Sequence, residues 1–406
     1  MTAGPAPFGT TQALDIDADI AVIGAGLAGT LAAIVLGRAG HRVALIDRNA
    51  VCPPEFRVEK IGGEQIAAMQ RLGLLDALSA HATRFDEIVN ARKGRILDRT
   101  RSVHFGFRYA DIVSAMRRQL PQSVRFVVGR VDAVTTGADR QAVTIAGQGT
   151  VNARLVVLAT GMGDLLRRTL GIGREVIHQR QSLTFGFDIA PAPGASFENP
   201  ALTYYGERLS DGIDYLSIFP VDGATRANLF TFRDIGDPWV KAFRQNPKET
   251  LAATLPGLAR VLGDFEIVSP VQNWLMDIAV AQDYRQAGVV LIGDAYQTSC
   301  PAAGTGVARL LSDVERLCMV HIPNWQASPG MSADKIGEFY ADPHKQAADA
   351  RALQMARYRR SLTVETDLRW RAHRMLQLSR RRLMSGIERY TPSVATRLRM
   401  LRARHA

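Results

Sequence analysis

Two glycine-rich segments about 270 residues apart constrain this chain more than any other feature. The first, Val22-Ile23-Gly24-Ala25-Gly26-Leu27-Ala28-Gly29, follows the apolar run Ile20-Ala21-Val22-Ile23, which reads as a buried parallel strand. Residues 27–38 read as the helix that follows. Gly24 suits a tight turn, Gly26 lets the backbone approach a pyrophosphate, and Gly29 permits close helix–strand packing. The helix N-terminus at Leu27 and Ala28 then faces the phosphate charge. Residues 41–46 read as the next strand and end at Asp47, 23 residues after Gly24, where a carboxylate can accept ribose hydroxyls. Arg48 comes directly after that acid.

The second segment is Leu291-Ile292-Gly293-Asp294-Ala295, followed by Pro301 and Gly304-Thr305-Gly306. Two such segments in this order imply one long cofactor held at both ends, FAD. Residues 20–40 also resemble a membrane span, being apolar except for Thr30 and Arg38, but five glycines interrupt the run and a soluble strand pattern follows. The nucleotide-binding reading is therefore preferred.

With 406 residues and 47% hydrophobic content, the chain can bury a large core and is expected to form two domains and an extension. Residues 1–18 lack both a basic start and an apolar h-region, so no secretory signal is read there, and a disordered tail is expected. Cys52, Cys300 and Cys318 are too few for a disulfide framework, which points to a cytoplasmic setting. Cys300 adjoins the second cofactor segment, yet a small buried thiol is its simplest reading. The eight histidines form no metal motif, and no metal is expected.

The formal charge of +11 is concentrated at one end: residues 345–406 hold sixteen Lys/Arg against four acids, a balance of +12. Tyr358, Leu362, Leu368, Met375, Leu376, Leu378, Leu383, Met384 and Ile387 recur there at helical spacing among arginines. The preferred reading is a helical layer packed on the catalytic domains, with arginines reaching water. Peripheral contact with the inner face of a membrane comes second. Nucleic acid is not expected, since no recognition motif accompanies the charge.

In the middle of the chain, residues 182–189, 201–205, 213–219 and 227–232 read as strands of an antiparallel sheet. Residues 246–262 look helical despite Pro256, and residues 288–292 return to a strand in the same sheet as Ile20. The expected fold is α/β: a Rossmann-like FAD-binding domain (19–178 and 270–330), an inserted antiparallel-sheet substrate domain (179–269) and a basic helical C-terminal region (331–406).

These motifs resemble the FAD-dependent monooxygenases of the para-hydroxybenzoate hydroxylase type over roughly residues 19–320. The resemblance implies that Gly293 and Asp294 contact the ribityl chain and that Pro301, Gly304, Thr305 and Gly306 lie against the isoalloxazine. It matches Asp313 to an acid on the ensuing helix and Arg57 to a cofactor-contacting base, and it brings Val131 beside the adenine. Tyr109 stands where the family has an arginine, with Arg108 next to it as a substitute. The fingerprint D-G-x-x-S-x-x-R aligns with residues 160–167, so Gly161 is retained while Thr160 and Asp164 depart from it. Ala308 replaces a usual Asn. These departures bring direct reduction by NAD(P)H into question and leave room for a reductase partner.

The implied activity is hydroxylation or epoxidation of a small organic substrate through a flavin C4a-hydroperoxide. Tyr204, Tyr205, Tyr215 and Phe219 are candidate substrate-facing residues, and no catalytic base is assigned. Residues 215–220 also resemble the Y-x-x-x-F-P motif of geranylgeranyl reductases, which makes a reductase acting on a lipid the competing reading. A flavin-binding protein without turnover is the third.

Overall fold

The computed structural model describes residues 14–55 and 57–390. The expectations for residues 1–13 and 391–406 lie outside the described residues. A five-stranded parallel sheet runs in the order Val289–Leu291, Leu155–Leu158, Ile20–Ile23, Val43–Asp47, Val124–Val128. Each of the three central strands is a short run of apolar residues, buried on both faces as parallel strands must be. The chain thus leaves this sheet after residue 158 and returns at residue 289, which puts the two glycine segments at the ends of strands that both flank Leu155–Leu158. Residues 20–40 form a strand, a turn and the helix Leu27–Arg38. Among the described residues no helix is long and apolar enough to cross a membrane.

A smaller four-stranded sheet takes in Leu14–Asp17, which pairs in parallel with Gly149–Ala153. The expected disordered tail therefore ends too late. Its last residues supply a strand whose Ile16 is buried, and pairing with a strand 135 residues away leaves no local signature.

The third sheet has nine strands and reaches well beyond the expected insert. Val58–Gly62, Thr83–Arg92 and Arg95–Arg108, read as part of the cofactor domain, pair into it, and so does the whole of Gly173–Pro191. The expected strands at 182–189, 201–205, 213–219 and 227–232 are all present and largely antiparallel. Alternation along Ile213–Val221 sends Leu216 and Ile218 into a core beneath the helices Pro238–Gln245, Pro247–Thr254 and Ala259–Leu262. Tyr215, Ser217 and Phe219 occupy the opposite face. The helix expected over 246–262 is broken, because Pro256 offers no N–H and disfavours the helical conformation at Leu255, whose φ/ψ is −123°/62°.

The C-terminal region is helical, with Gly306–Arg316, Ala333–Ala341, Pro343–Val364 and Leu368–Tyr390 as its main elements. Asp342 caps the Pro343 helix by accepting the N–H groups of His344 (2.9 Å) and Lys345 (3.2 Å).

Candidate active site where the glycine segments meet

The glycine turn at residues 24–29 is held from three sides. Gly24 has φ +100°, and a Cβ there would lie 2.5 Å from the Ala159 carbonyl oxygen, so only glycine fits against the end of Leu155–Leu158. Asp47 Oδ2 accepts the Ala25 N–H at 2.7 Å, so the acid expected at the ribose also fixes the turn. Arg117, on the helix Tyr109–Arg117, donates to the Ala25 carbonyl through Nε (3.0 Å) and Nη2 (2.7 Å) and to the Asn49 carbonyl at 3.1 Å. Eight residues earlier on the same helix, Tyr109 Oη accepts the Leu27 N–H at 3.1 Å, and its ring lies 3.9 Å beneath the Arg57 guanidinium. The tyrosine in the family's arginine position therefore sits at the N-terminus of the nucleotide-binding helix. Arg117 was missed from sequence, although its i, i+8 spacing from Tyr109 puts both on one helix face.

Arg108 goes elsewhere. It pairs with Asp188 at 3.1 Å, and Arg226 pairs with the same carboxylate at 3.1 Å, so Arg108 is joined to the nine-stranded sheet and not to the glycine turn. A strand residue next to the helix start points away from the helix's own contacts. Arg48 is exposed, and Arg57 pairs with Glu55. Val131 begins the strand after Gly129, whose N–H donates to the Asp47 carbonyl at 2.8 Å.

The second segment closes against the first: a Cβ on Gly293 would lie 3.4 Å from Ala28 Cβ. Gly293 N–H donates to Asp313 Oδ2 at 2.9 Å, and Asp313 is buried with Lys345, whose Nζ lies 2.8 Å from Asp313 and 3.1 Å from Asp349. Tyr296 and Phe339 lie 4.2 and 4.8 Å from the same ammonium. Asp294 Oδ1 accepts from Arg309 at 3.3 Å, and its carbonyl accepts from Arg174 at 2.8 Å. The departing Asp164 pairs with Arg167 and Arg168 and lies 3.9 Å from Arg174, which joins the altered fingerprint to the Gly293 segment. Cys300 is fully buried and donates to Ser182 Oγ at 3.4 Å, and burial pushes its thiol up, as it does at Cys52 and Cys318.

These residues fit FAD. The helix Leu27–Arg38 begins without an acid in its first turn and without a side-chain cap at Gly26. Gly161 and Gly304 both face open space at positive φ. Thr305 Oγ1 is buried without a hydrogen-bond partner. The helix Gly306–Arg316 also begins without an acid, so its positive pole can stabilise the negative charge of a reduced flavin.

On the substrate side, Tyr215 Oη donates to the Ala302 carbonyl at 3.0 Å, tying the nine-stranded sheet to the loop between Pro301 and Gly304. Tyr204 does not join it. It is fully buried on the opposite face, where its hydroxyl donates to Glu207 (2.5 Å) and accepts from Gly94 N–H (2.9 Å). Strand alternation leaves Tyr205 on the Tyr215 face, with ring centroids 6.3 Å apart. Phe219 is buried beside Val58, Val221 and Phe85. Lys60, not noticed in the sequence, lies over it: its Nζ is 5.5 Å from the Phe219 ring and donates to Ser217 Oγ at 3.0 Å. Burial pushes the Lys60 ammonium down to about 8.

Residues 17–320 match the family described as FAD binding domain, and the chain belongs to that family. It is 27% identical over 393 residues to a kynurenine 3-monooxygenase of Salinispora arenicola, covering 88% of this chain and 81% of that one. It is 23% identical over 358 residues to the ubiquinone hydroxylase UbiM of Neisseria meningitidis, covering 82% and 74%. The fold is that of the p-nitrophenol 4-monooxygenase PnpA from Pseudomonas putida, with TM-score 0.72, 18% identity and coverage of 95% and 96%. The protein is an FAD-dependent monooxygenase acting on a small molecule. These relatives lend no support to the lipid reductase or to the flavin binder without turnover.

Proposed function

We propose that the enzyme hydroxylates an aromatic substrate carrying an acidic group, with NAD(P)H as the source of electrons. The overall change is substrate C–H + O2 + NAD(P)H + H+ to C–OH + NAD(P)+ + H2O. The observation that carries this reading is Lys60. Among the described residues it makes no ion pair, and a half-buried ammonium held by a serine hydroxyl over an aromatic ring suits an anion. It lies over the Phe219 ring on the sheet face shared with Tyr215, whose hydroxyl reaches the second cofactor segment. The similarity to enzymes named for kynurenine, an aromatic amino acid, supports the same substrate class.

Bound FAD supplies oxygen activation once it is reduced. Asp47, Arg117 and Tyr109 would orient it through the glycine turn that they hold, the Gly306 helix pole would face it, and Tyr215 with the buried Cys300 loop would keep water from the site.

The test is oxygen and NAD(P)H consumption by the holoenzyme with aromatic acids, kynurenine first, and with their methyl esters. Acids are expected to turn over with one oxygen atom added by mass, and esters to be poor substrates. Lys60→Met is expected to raise KM for the acid at least about tenfold with kcat changed less, the loss of one charge-assisted contact. Equal turnover of esters and acids would refute the acidic substrate class. Reduction of the flavin by dithionite but by neither nucleotide would place a reductase partner upstream.

A further inference from the structure

The helix Leu368–Tyr390 shows its inner face clearly. Arg374 donates to the carbonyls of Leu362 (3.1 Å) and Glu365 (2.8 Å), and His373 and Gln377 bond to Tyr358 Oη. Arg381 reaches Tyr205 Oη at 3.1 Å and lies 3.7 Å from Asp98. Trp370 packs against Tyr358 with ring centroids 5.9 Å apart. Positions 370, 373, 374, 377 and 381 are thus turned to the protein, as a period of 3.6 residues requires.

The outer face is apolar where a solvated helix would be polar. Leu368, Met375 and Leu376 are 81%, 68% and 69% exposed. With the exposed Ala372 and Ser379, they fall within an arc of about 100° at 100° per residue. Exposed Arg369 and Arg380 border this arc on one side and exposed Arg371 on the other. An apolar strip between arginine borders, on a helix with no acid among residues 368–381, is the arrangement of a helix lying in the plane of an anionic interface.

We infer that this outer face docks the enzyme on an anionic phospholipid surface. Leu368, Met375 and Leu376 enter the acyl boundary while Arg369, Arg371 and Arg380 meet lipid phosphates. A second copy of the chain is disfavoured as the occupant because it would bring like-charged arginine borders together. Nucleic acid would use the arginines and leave the apolar strip without purpose.

The experiment is flotation of the full-length holoenzyme with vesicles of phosphatidylcholine alone and with about 30% phosphatidylglycerol. Wild type is expected to float with the anionic vesicles only. A triple variant, Leu368→Ser, Met375→Ser, Leu376→Ser, is expected to lose roughly tenfold or more of that binding. A second, Arg369→Gln, Arg371→Gln, Arg380→Gln, is expected to lose the preference for anionic lipid. Both should keep the wild-type melting temperature and flavin spectrum, because the altered side chains are exposed. Failure of the wild type to float with anionic vesicles would overturn the inference. So would undiminished flotation of the Leu/Met variant, a dimer that this variant abolishes, or binding to duplex DNA in place of vesicles.

Discussion

Two glycines three residues apart in the first segment should fail in opposite ways when changed to alanine. A Cβ on Gly29 would lie 1.9 Å from the Gly24 carbonyl oxygen and 3.0 Å from Ala159 Cβ. Ordinary C···O contact needs about 3.2 Å, so the helix Leu27–Arg38 must move roughly 1.3 Å from a turn that Asp47, Arg117 and Ala159 all hold in place. Overpacking of this kind costs about 3 kcal/mol, which in a chain of this size lowers Tm by about 3 to 4 °C. A Cβ on Gly26 meets only Tyr109 Oη, at 3.1 Å, and the backbone there has φ −69°, open to any residue. Gly26→Ala should therefore leave the stability of the FAD-free protein within about 1 kcal/mol of wild type. Its methyl would stand where the pyrophosphate approaches, weakening FAD binding by about a hundredfold or more, near 3 kcal/mol. Thermal unfolding of the flavin-free proteins and titration of FAD by flavin fluorescence separate the two effects. Wild-type FAD affinity in Gly26→Ala would refute the phosphate cradle, and a wild-type Tm in Gly29→Ala would refute the packing argument.

Lys345→Met should destabilise the protein by about 3 kcal/mol, because buried Asp313 and half-buried Asp349 lose the nearer of two shared cations and keep only Arg309, at 3.7 and 3.6 Å, and Asp349→Asn in the same chain should recover part of that loss. Chemical denaturation of the single and double variants measures both. Burial alone would raise the Asp342 carboxyl, but Arg316 (2.7 Å) and His321 (2.9 Å) outweigh it and hold the acid well below its usual range. A lowered folded-state pKa contributes stability that is complete above the unfolded value near 4 and lost as pH falls through the folded value. Asp342→Asn should therefore lower Tm at pH 7 and flatten its decline below about pH 4, and an unchanged acid profile would contradict the pairing. For Lys60, at about 8, the cation is lost as pH rises, so KM for an acidic substrate should climb above that pH in wild type and stay level in Lys60→Met.

Much of the cofactor site was legible because nucleotide binding is written in local order. Strand, glycine turn, helix, strand and Asp47 follow one another within about 30 residues, and turn geometry restricts which residues can fill them. The return of residues 289–291 to the first sheet, directly before Gly293 and Asp294, was legible for the same reason. The four central strands showed themselves by their aromatic and β-branched composition.

What tertiary structure decided depends on which side chains meet across long sequence separations. Tyr204 and Tyr205 both read as substrate-facing, although strand alternation sends neighbours to opposite faces, and only the packed helices settled that Tyr204 is core. Arg108 and Arg117 are both arginines beside one helix, and only the second clamps the glycine turn, because helix periodicity carries it there while Asp188 draws the first away. Lys60 and Ser217 lie 157 residues apart, and Lys345 lies 32 residues beyond Asp313. The sequence by itself determined the two glycine segments, the strands that carry them and, through the family they mark, the flavin cofactor. The tertiary structure decided which charges are withdrawn from water around those segments, since burial and unpartnered charge are properties of the folded surroundings and not of any residue alone.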